Sequence, residues 1–275
     1  MPELPEVQTI VNQLREKIVG KKIKAVKINL PKLIHGMKVK DFERIVGGAK
    51  IREIDRRAKI LIIKLSNNYS LLIHLKLTGR LIFKEKLEKE DEKSHLIYEF
   101  SDGGFLLHHD FRQFGWVKPI KTQVLEKYFQ KEGFGPEPLG KEFTLEKFKE
   151  LLAKKPRQKI KSLLMDQKFI AGVGNVYAQE ACWCARILPT RIVKTLKEKE
   201  IEDLYNCLIK ILKEAIKFRG SSVDAYVDTE GRQGNYVSKL KVYGRLGEKC
   251  FRCSGKIEKI VLGGRGTYYC PSCQK

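Results

Sequence analysis

The chain lacks the apolar runs and the leader features that would direct it into or across a membrane. No apolar run approaches the roughly 20 residues that a membrane-spanning helix needs. The first six residues, MPELPE, contain neither a basic stretch nor an apolar stretch, so they do not resemble a signal peptide. These absences predict a cytoplasmic protein whose cysteine thiols stay reduced.

Acidic residues are in the minority, and no internal repeat is present. Among 275 residues there are 55 Lys and Arg but only 33 Asp and Glu, which gives a formal net charge of +22. Such a charge attracts polyanions and favours nucleic-acid binding. A lysine-rich surface tuned for solubility is the alternative, because many lysines sit beside glutamates, as in Glu198-Lys199-Glu200. The 42% hydrophobic content excludes a wholly disordered chain.

The hydrophobic pattern of the first 120 residues predicts one helix followed by an antiparallel β-sandwich or barrel. Residues 5–19 carry apolar side chains at helical spacing, and Pro5 suits a first helical turn. Residues 22–120 then switch to short alternating or apolar runs that are separated by turn signals. The clearest predicted strands are Ile60–Leu65, Leu71–Leu75, Leu96–Phe100 and Phe105–His109.

The rest of the chain is helical and then returns to short strands. Residues 133–140 are rich in glycine and proline and predict a linker. The predicted helices are Phe143–Ala153, Ile160–Asp166, Asn175–Ala185 and Glu198–Phe218. Residues 221–237 are polar and contain glycine, which predicts a mobile loop. We therefore expect an α+β multidomain protein with domains at 1–132, 133–240 and 241–275.

Four cysteines near the C-terminal end have the spacing of a structural zinc site. They form two CxxC pairs, Cys250 with Cys253 and Cys270 with Cys273. Four thiolates bind Zn²⁺ tetrahedrally and leave no open position for chemistry. Two disulfides or a chance grouping are the alternatives, and a reducing compartment disfavours the disulfides. The sequence therefore predicts one structural Zn²⁺ per chain in a zinc ribbon.

Two features lie close to this cluster. The other cysteines, Cys182, Cys184 and Cys207, occur in helical apolar stretches and are predicted to be core residues with free thiols. The ribbon hairpin ends in the turn GGRGT, which carries Arg265. Glycines let a backbone approach a partner closely, and arginine can form two hydrogen bonds with a phosphate or a base edge. An incidental arginine on an exposed turn is the alternative.

Five motifs, in this order, resemble the formamidopyrimidine-DNA glycosylase family. They are MPELPEV at the start, Lys59 in RRAK, DFRQFG from Asp110, IAGVGNVY from Ile170 and the zinc ribbon. Each motif is weak alone, but together they are highly specific and cover effectively the whole chain. The related endonuclease VIII branch acts mainly on oxidised pyrimidines and typically has Gly at the position of Leu4. Leu4 therefore favours the purine-specific branch.

The resemblance implies a fold, an activity and a partner. The implied fold is a catalytic N-terminal β-sandwich with flanking helices, then a helix–two-turn–helix domain with a lesion-recognition loop, then the zinc finger. The implied activity is a bifunctional glycosylase and lyase of base excision repair, which removes 8-oxoguanine and formamidopyrimidines and cuts the strand by β,δ-elimination. The partner is double-stranded DNA with oxidised bases or abasic sites, bound by a monomer. A non-catalytic zinc-ribbon protein that binds damaged DNA is the alternative.

The start of the chain carries the expected catalytic residues. Removal of Met1 exposes the secondary amine of Pro2, and α-amino groups have a reference pKa of about 8, well below that of lysine. The amine can attack the sugar C1′ and leave an iminium that makes the C2′ proton acidic. Glu3 is expected to be the general acid, with Glu6 in support. Without the motif, Pro2 would be an ordinary start, and both glutamates would suit a helix N-terminus.

The resemblance assigns further roles to residues that are unremarkable on their own. Lys59 is expected to be an active-site cation, and Arg265 to assist the final elimination. His74 and Tyr243 are expected to contact DNA. The alternatives are a solvated lysine at a strand entrance and a hydrogen-bonded histidine in the core.

The remaining predicted DNA contacts fall into two groups. Leu77, Arg112 and Phe114 match the family residues that fill the hole left by an extruded base, although the family has methionine where Leu77 stands. On an extended segment Arg112 and Phe114 would point the same way, and the polar Arg112 and Gln113 suit an exposed turn. Asn175 is expected to cap a helix and bind phosphate at its free amides, with help from Lys161. A core position is the alternative for Phe114.

Overall fold

The protein forms two compact units in a computed structural model that describes all residues from 1 to 275. Unit 1 comprises residues 1–132 and 218–237, and unit 2 comprises residues 133–217 and 238–275. Residues 218–237, which we had placed in the helical domain, therefore cluster with the β-sandwich. No helix combines the length and the apolar composition that a membrane crossing requires.

Unit 1 is the predicted antiparallel β-sandwich with flanking helices. The helices are α1 (Leu4–Ile18), α2 (Val39–Val46) and α3 (Leu125–Glu132). The strands are β1 (Ile23–Ile28), β2 (Ile51–Arg57), β3 (Ile60–Leu65), β4 (Tyr69–His74), β5 (Gly79–Lys84), β6 (Leu96–Phe100), β7 (Phe105–Asp110) and β8 (Trp116–Lys121). One four-stranded sheet has the order β1-β6-β7-β5, the other has the order β2-β3-β4-β8, and every pair is antiparallel.

The core of unit 1 lies between the sheets and the apolar face of α1. Val7, Ile10, Val11, Leu14 and Ile18 recur at helical spacing, and all five are buried. Alternate residues of the strands meet them, because successive side chains of a strand point to opposite faces. This core holds the start of α1 against the sandwich, so the first residues of the chain have a fixed position.

Unit 2 combines four helices with the ribbon hairpin. The helices are α4 (Leu145–Ala153), α5 (Ile160–Leu164), α6 (Asn175–Cys184) and α7 (Glu198–Lys217), and the strands are β9 (Glu258–Leu262) and β10 (Arg265–Tyr269). The two-residue turn of the hairpin is Gly263-Gly264, with φ values of +58° and +70°. A turn with positive φ at both central positions strongly favours glycine and presents Arg265 at the tip.

One expectation about the cysteines is wrong. Cys184 and Cys207 form a disulfide that joins the end of α6 to α7, with their Cα atoms 5.8 Å apart. The packing of α6 against α7 brings the two sulfurs together, and this Cα separation lies within the range of a disulfide. Cys182 is a free, fully buried thiol, and burial raises its pKa to about 12.

The disulfide gives a first testable prediction. Cys184→Ser is expected to lower the free energy of unfolding by about 2–4 kcal/mol, because the cross-link restricts the unfolded chain. Denaturant unfolding with zinc present throughout would measure this change, and Cys207→Ser should give the same value. Mild reductant should destabilise the parent protein but neither variant. Equal stability of parent and variants under oxidising conditions would contradict the prediction.

Candidate active site and nucleic-acid interface

The start of α1 is held by a reciprocal capping box. Glu3 is the N-cap residue, its side chain accepts from the Glu6 amide, and the Glu3 amide donates to Glu6 Oε2 at 2.7 Å. Both carboxylates are buried, with 4% and 2% of their residues exposed, and Pro2 is buried as well. The predicted nucleophile and general acid are therefore adjacent and held by a fixed backbone.

Glu6 also binds the first residue of the loop 221–237. Its Oε1 accepts from the Ser221 amide at 2.8 Å. The neighbouring Gly220 has a φ of +77°, and a Cβ there would lie 2.8 Å from Glu6 Oε1. Only glycine fits this approach without strain. Glu6 thus bonds to the chain start through Oε2 and to residues 218–237 through Oε1. This geometry suits a residue that positions the chain start.

Residues 221–237, predicted to be a mobile loop, are anchored by a buried carboxylate. Asp228 is fully buried and accepts from Arg219 Nη1 at 2.7 Å, from Gln13 Nε2 at 3.1 Å and from two amides of its own loop. Thr229 also bonds Gln13 on α1, and its carbonyl accepts from the Phe83 amide at 2.8 Å. The polar residues that suggested mobility instead form hydrogen bonds with one another and with α1 inside unit 1.

Lys59 and His74 lie at one end of the second sheet. Lys59 follows Ala58, whose φ is +54°. Only 6% of Lys59 is exposed, so Lys59 is not a solvated lysine. His74 pairs with Ile60 across the sheet, and its Nδ1 accepts from the Lys76 amide at 3.0 Å. Burial, followed by the charges of Lys76 and Lys59, lowers the His74 pKa to about 3. His74 is therefore neutral near pH 7 and carries its proton on Nε2, where it can donate.

The DFRQFG motif forms a tight turn, as its polar residues suggest, and not an extended segment. Asp110 is fully buried, its Oδ1 accepts from the Thr78 hydroxyl at 2.5 Å, and its Oδ2 accepts from the Gly115 amide at 2.6 Å. Gln113 has a φ of +55°. The Gly115 amide can reach the Asp110 carboxylate only where the backbone turns back between them, so an extended backbone could not form this bond. Even so, the Arg112 guanidinium lies 4.9 Å from the centroid of the Phe114 ring.

The same turn is tied to the turn that carries Leu77. The Arg112 amide donates to Thr78 Oγ1 at 2.9 Å, and Leu77 is half-buried just before Thr78. Phe114 is 55% exposed, which rules out the core alternative. Leu77, Arg112 and Phe114 are therefore brought together on one rigid pair of turns in unit 1.

In unit 2, Asn175 connects two elements and does not cap its helix. Gly174 is the N-cap of α6, and Asn175 is the first helical residue. Its Oδ1 accepts from the fully buried Lys161 Nζ at 2.5 Å, and its Nδ2 donates to the Gly266 carbonyl at 3.1 Å. The glycine before it adopts the extended conformation that a cap requires, so the asparagine amide is free to reach the ribbon.

The base of the ribbon is held by a buried glutamate that sequence reasoning missed. Glu180 accepts from the amides of residues 241–243 at 2.8 to 3.0 Å. Its complete burial raises the pKa of Glu180 despite these bonds. Tyr243 is thereby fixed with its ring 5.5 Å from that of Tyr268. Glu180 lies inside an apolar helix with no spacing signal, and Asp228 lies in a polar loop, so neither position stood out.

The four predicted zinc ligands form one cluster. The sulfur atoms of Cys250, Cys253, Cys270 and Cys273 all lie within 4.8 Å of one another. Sulfurs bound at about 2.3 Å around a tetrahedral Zn²⁺ would be roughly 3.8 Å apart. The Cys250 to Cys273 separation is 3.8 Å, and Trp183 Nε1 and the Arg252 amide both point at Cys250 Sγ from 3.4 Å. N–H donors aimed at a sulfur suit a thiolate, so the residues fit a structural zinc ion.

Comparisons with known proteins agree along the whole chain. The formamidopyrimidine-DNA glycosylase N-terminal domain model matches residues 1–117, the family's H2TH domain model matches residues 134–227, and a zinc finger found in FPG and IleRS matches residues 247–275. A formamidopyrimidine-DNA glycosylase of Pelotomaculum thermopropionicum is 42% identical over 100% of this chain and 99% of its own length. One of Streptococcus mutans is 39% identical over the full length of both.

Solved structures give the same result. Lactococcus lactis Fpg in complex with abasic-site DNA superposes with a TM-score of 0.92 at 36% identity, covering 99% of both chains. A mutant of that protein with Fapy-dG DNA gives 0.93 over 100% of both chains, also at 36% identity. The order of the motifs, the fold of both units and these matches all agree. The chain belongs to the formamidopyrimidine-DNA glycosylase family.

Proposed function

We propose that this protein is a DNA glycosylase and abasic-site lyase of base excision repair that removes oxidised purines. The observation that carries the proposal is the start of α1, where Pro2 stands next to a buried Glu3 within a closed capping box. A protein that only binds DNA has no need for a proline amine held beside a buried carboxylate. Relatives that match over the full length of this chain are named formamidopyrimidine-DNA glycosylases.

The chemistry starts from the amine that is exposed when Met1 is removed. Pro2 nitrogen attacks the sugar C1′, and the bond from C1′ to the base breaks with its electron pair on the base. Glu3 donates a proton to the ring oxygen as the sugar opens, which leaves an iminium between Pro2 and C1′. Loss of the C2′ proton then expels the 3′ phosphate, and a second elimination releases the 5′ phosphate. Glu6 holds the backbone of Glu3 through these steps.

Several residues are proposed to bind the phosphates on either side of the damage. In unit 1, Lys59 supplies a positive charge and neutral His74 supplies a hydrogen-bond donor. In unit 2, the amides at the start of α6 form an anion site next to Asn175 and Lys161. Tyr243 and Arg265 extend this surface along the ribbon, where Arg265 is proposed to assist the final elimination. The zinc ion holds the ribbon in shape and takes no part in the reaction.

A cleft in unit 1 is proposed to receive the extruded base. It has a volume of about 550 Å³ and lies between β5, β7 and residues 225–231. This volume is within the usual range for small-molecule pockets, roughly 300 to 1,000 Å³. Its lining includes apolar Ile82 and Val227 and polar Thr78 and Arg80. A planar base with hydrogen-bonding edges matches such a lining.

Arg112 is proposed to meet the base left unpaired. It offers only donors, which match the acceptors of cytosine better than the mixed edge of adenine. We therefore expect lesions opposite cytosine to be cut faster than lesions opposite adenine, and Arg112→Ala to shrink that preference. Phe114→Ala should slow excision from duplex DNA whatever the opposite base. Excision rates with each of the four opposite bases measure both effects, and a full cytosine preference in Arg112→Ala would overturn the assignment.

Borohydride trapping tests the function directly. Reduction of the iminium should join the protein covalently to DNA that contains 8-oxoguanine or an abasic site, and the adduct should map to Pro2. A zinc-ribbon protein that only recognises kinked or damaged DNA would bind the same DNA without an adduct. We further propose that the enzyme works as a monomer in the bacterial cytosol.

A further inference from the structure

Phe111 is the most exposed of the large apolar side chains, at 91%. Single apolar residues on a surface are common and need no explanation. Phe111, however, stands on a rigid support, because it directly follows the fully buried Asp110 and lies inside the turn that Thr78 and Gly115 close. Roles were predicted for its neighbours Arg112 and Phe114, but none for Phe111.

The side chains of Arg112 and Phe114, which follow Phe111 in the turn, contact each other. The Arg112 guanidinium stacks on the Phe114 ring at 4.9 Å. Phe111 has no such partner and instead lines the cleft of unit 1. The turn thus presents two distinct surfaces, the Arg112–Phe114 pair and the Phe111 ring at the edge of the cleft.

The cleft around Phe111 has the composition of a site for a flat heteroaromatic ring. Ala225 and Val227 provide apolar wall on the side of residues 218–237, and Arg80 Nε is held by the Ala225 carbonyl at 3.0 Å. The second cation, Lys84, is paired with Asp91 at 2.8 Å and adds little net charge. The acidic Asp91 and Glu230 also line the cleft. An arginine, two carboxylates, an aromatic face and apolar walls together suit a nucleobase more than a free phosphate.

We propose that Phe111 stacks on the face of the extruded oxidised purine and is a substrate-binding residue for base excision. The proposal rests on the proposed glycosylase function. Aromatic side chains stack on any base, and removing such a ring weakens binding by about 5- to 150-fold. Phe111 would act while the base is in the cleft and would have no role once the base has left.

This timing gives a sharp test. Phe111→Ala should slow single-turnover release of 8-oxoguanine by about 5- to 150-fold. The same variant should cut an abasic site in the same duplex at the parent rate, because that substrate has no base to stack. Phe111→Trp should keep the parent rate of excision, whereas Phe111→Leu should keep only part of it. Phe114→Ala is the comparison, since loss of the duplex wedge should slow both reactions.

Two outcomes would overturn the proposal. Phe111→Ala could slow both substrates equally, which would place the ring on the duplex, or it could slow neither. Thermal unfolding of Phe111→Ala should match the parent, since so exposed a side chain contributes little packing. Failure of the proposed function itself would look different, because the parent protein would then form no borohydride adduct with abasic DNA.

Discussion

Pro2→Gly is expected to lose most of its base-excision activity while it continues to bind lesion-containing DNA. The variant keeps an N-terminal amine but loses the secondary amine and the ring that fixes its direction at the start of α1. Binding should persist, because the proposed phosphate contacts lie on other elements. Single-turnover excision and borohydride trapping measure the chemistry, and fluorescence anisotropy measures the affinity.

Glu3→Gln is the matched variant for this prediction. Glutamine has the same shape and can still accept from the Glu6 amide in the capping box, so α1 should keep its start. It cannot donate the proton that the opening sugar needs, and we expect excision to fall by about 10²- to 10⁴-fold. The amine mechanism would be refuted by mass spectra that show intact Met1 in fully active enzyme.

Cys270→Ser is expected to abolish stable zinc binding and to unfold the ribbon. Zinc contributes folding free energy to such sites, about 10–16 kcal/mol in isolated zinc-finger peptides, and Cys270 is a fully buried ligand. Loss of the ribbon should also release Arg265 and Tyr243 from their fixed positions and weaken DNA binding. Unit 1 has its own core and should remain folded.

Metal analysis and intrinsic fluorescence test this second prediction. The parent should contain one zinc per chain, and Cys270→Ser should contain much less. Trp183 donates to Cys250 Sγ at 3.4 Å, so its emission should report the collapse of the cluster. Cys182→Ala is the control, because Cys182 is a buried thiol outside the zinc cluster. An active parent protein without zinc would contradict the assignment.

The sequence by itself determined the elements whose signal is local. The strands Ile60–Leu65 and Leu96–Phe100 were predicted with their observed bounds, and α1 and α7 to within one residue at each end. For the helices periodicity is sufficient, because a long amphipathic pattern fits only one secondary structure. The short strands were also marked by the turn signals that separate them. The zinc ligands were also predicted from the sequence, since their chemistry depends on short spacings. The roles of Pro2 and Glu3 were inferred through the family motif and stay predictions.

Only the tertiary structure decided the contacts between distant positions. It showed that Asp110 bends its motif into a turn, that residues 218–237 belong to unit 1 and that Cys184 meets Cys207. It also showed that Glu6 bonds to Ser221 and that Phe111 lines a cleft. Packing determines which donor bonds to a buried carboxylate and which thiol pairs with a cysteine. That choice depends on distances through space, which spacing along the chain does not encode.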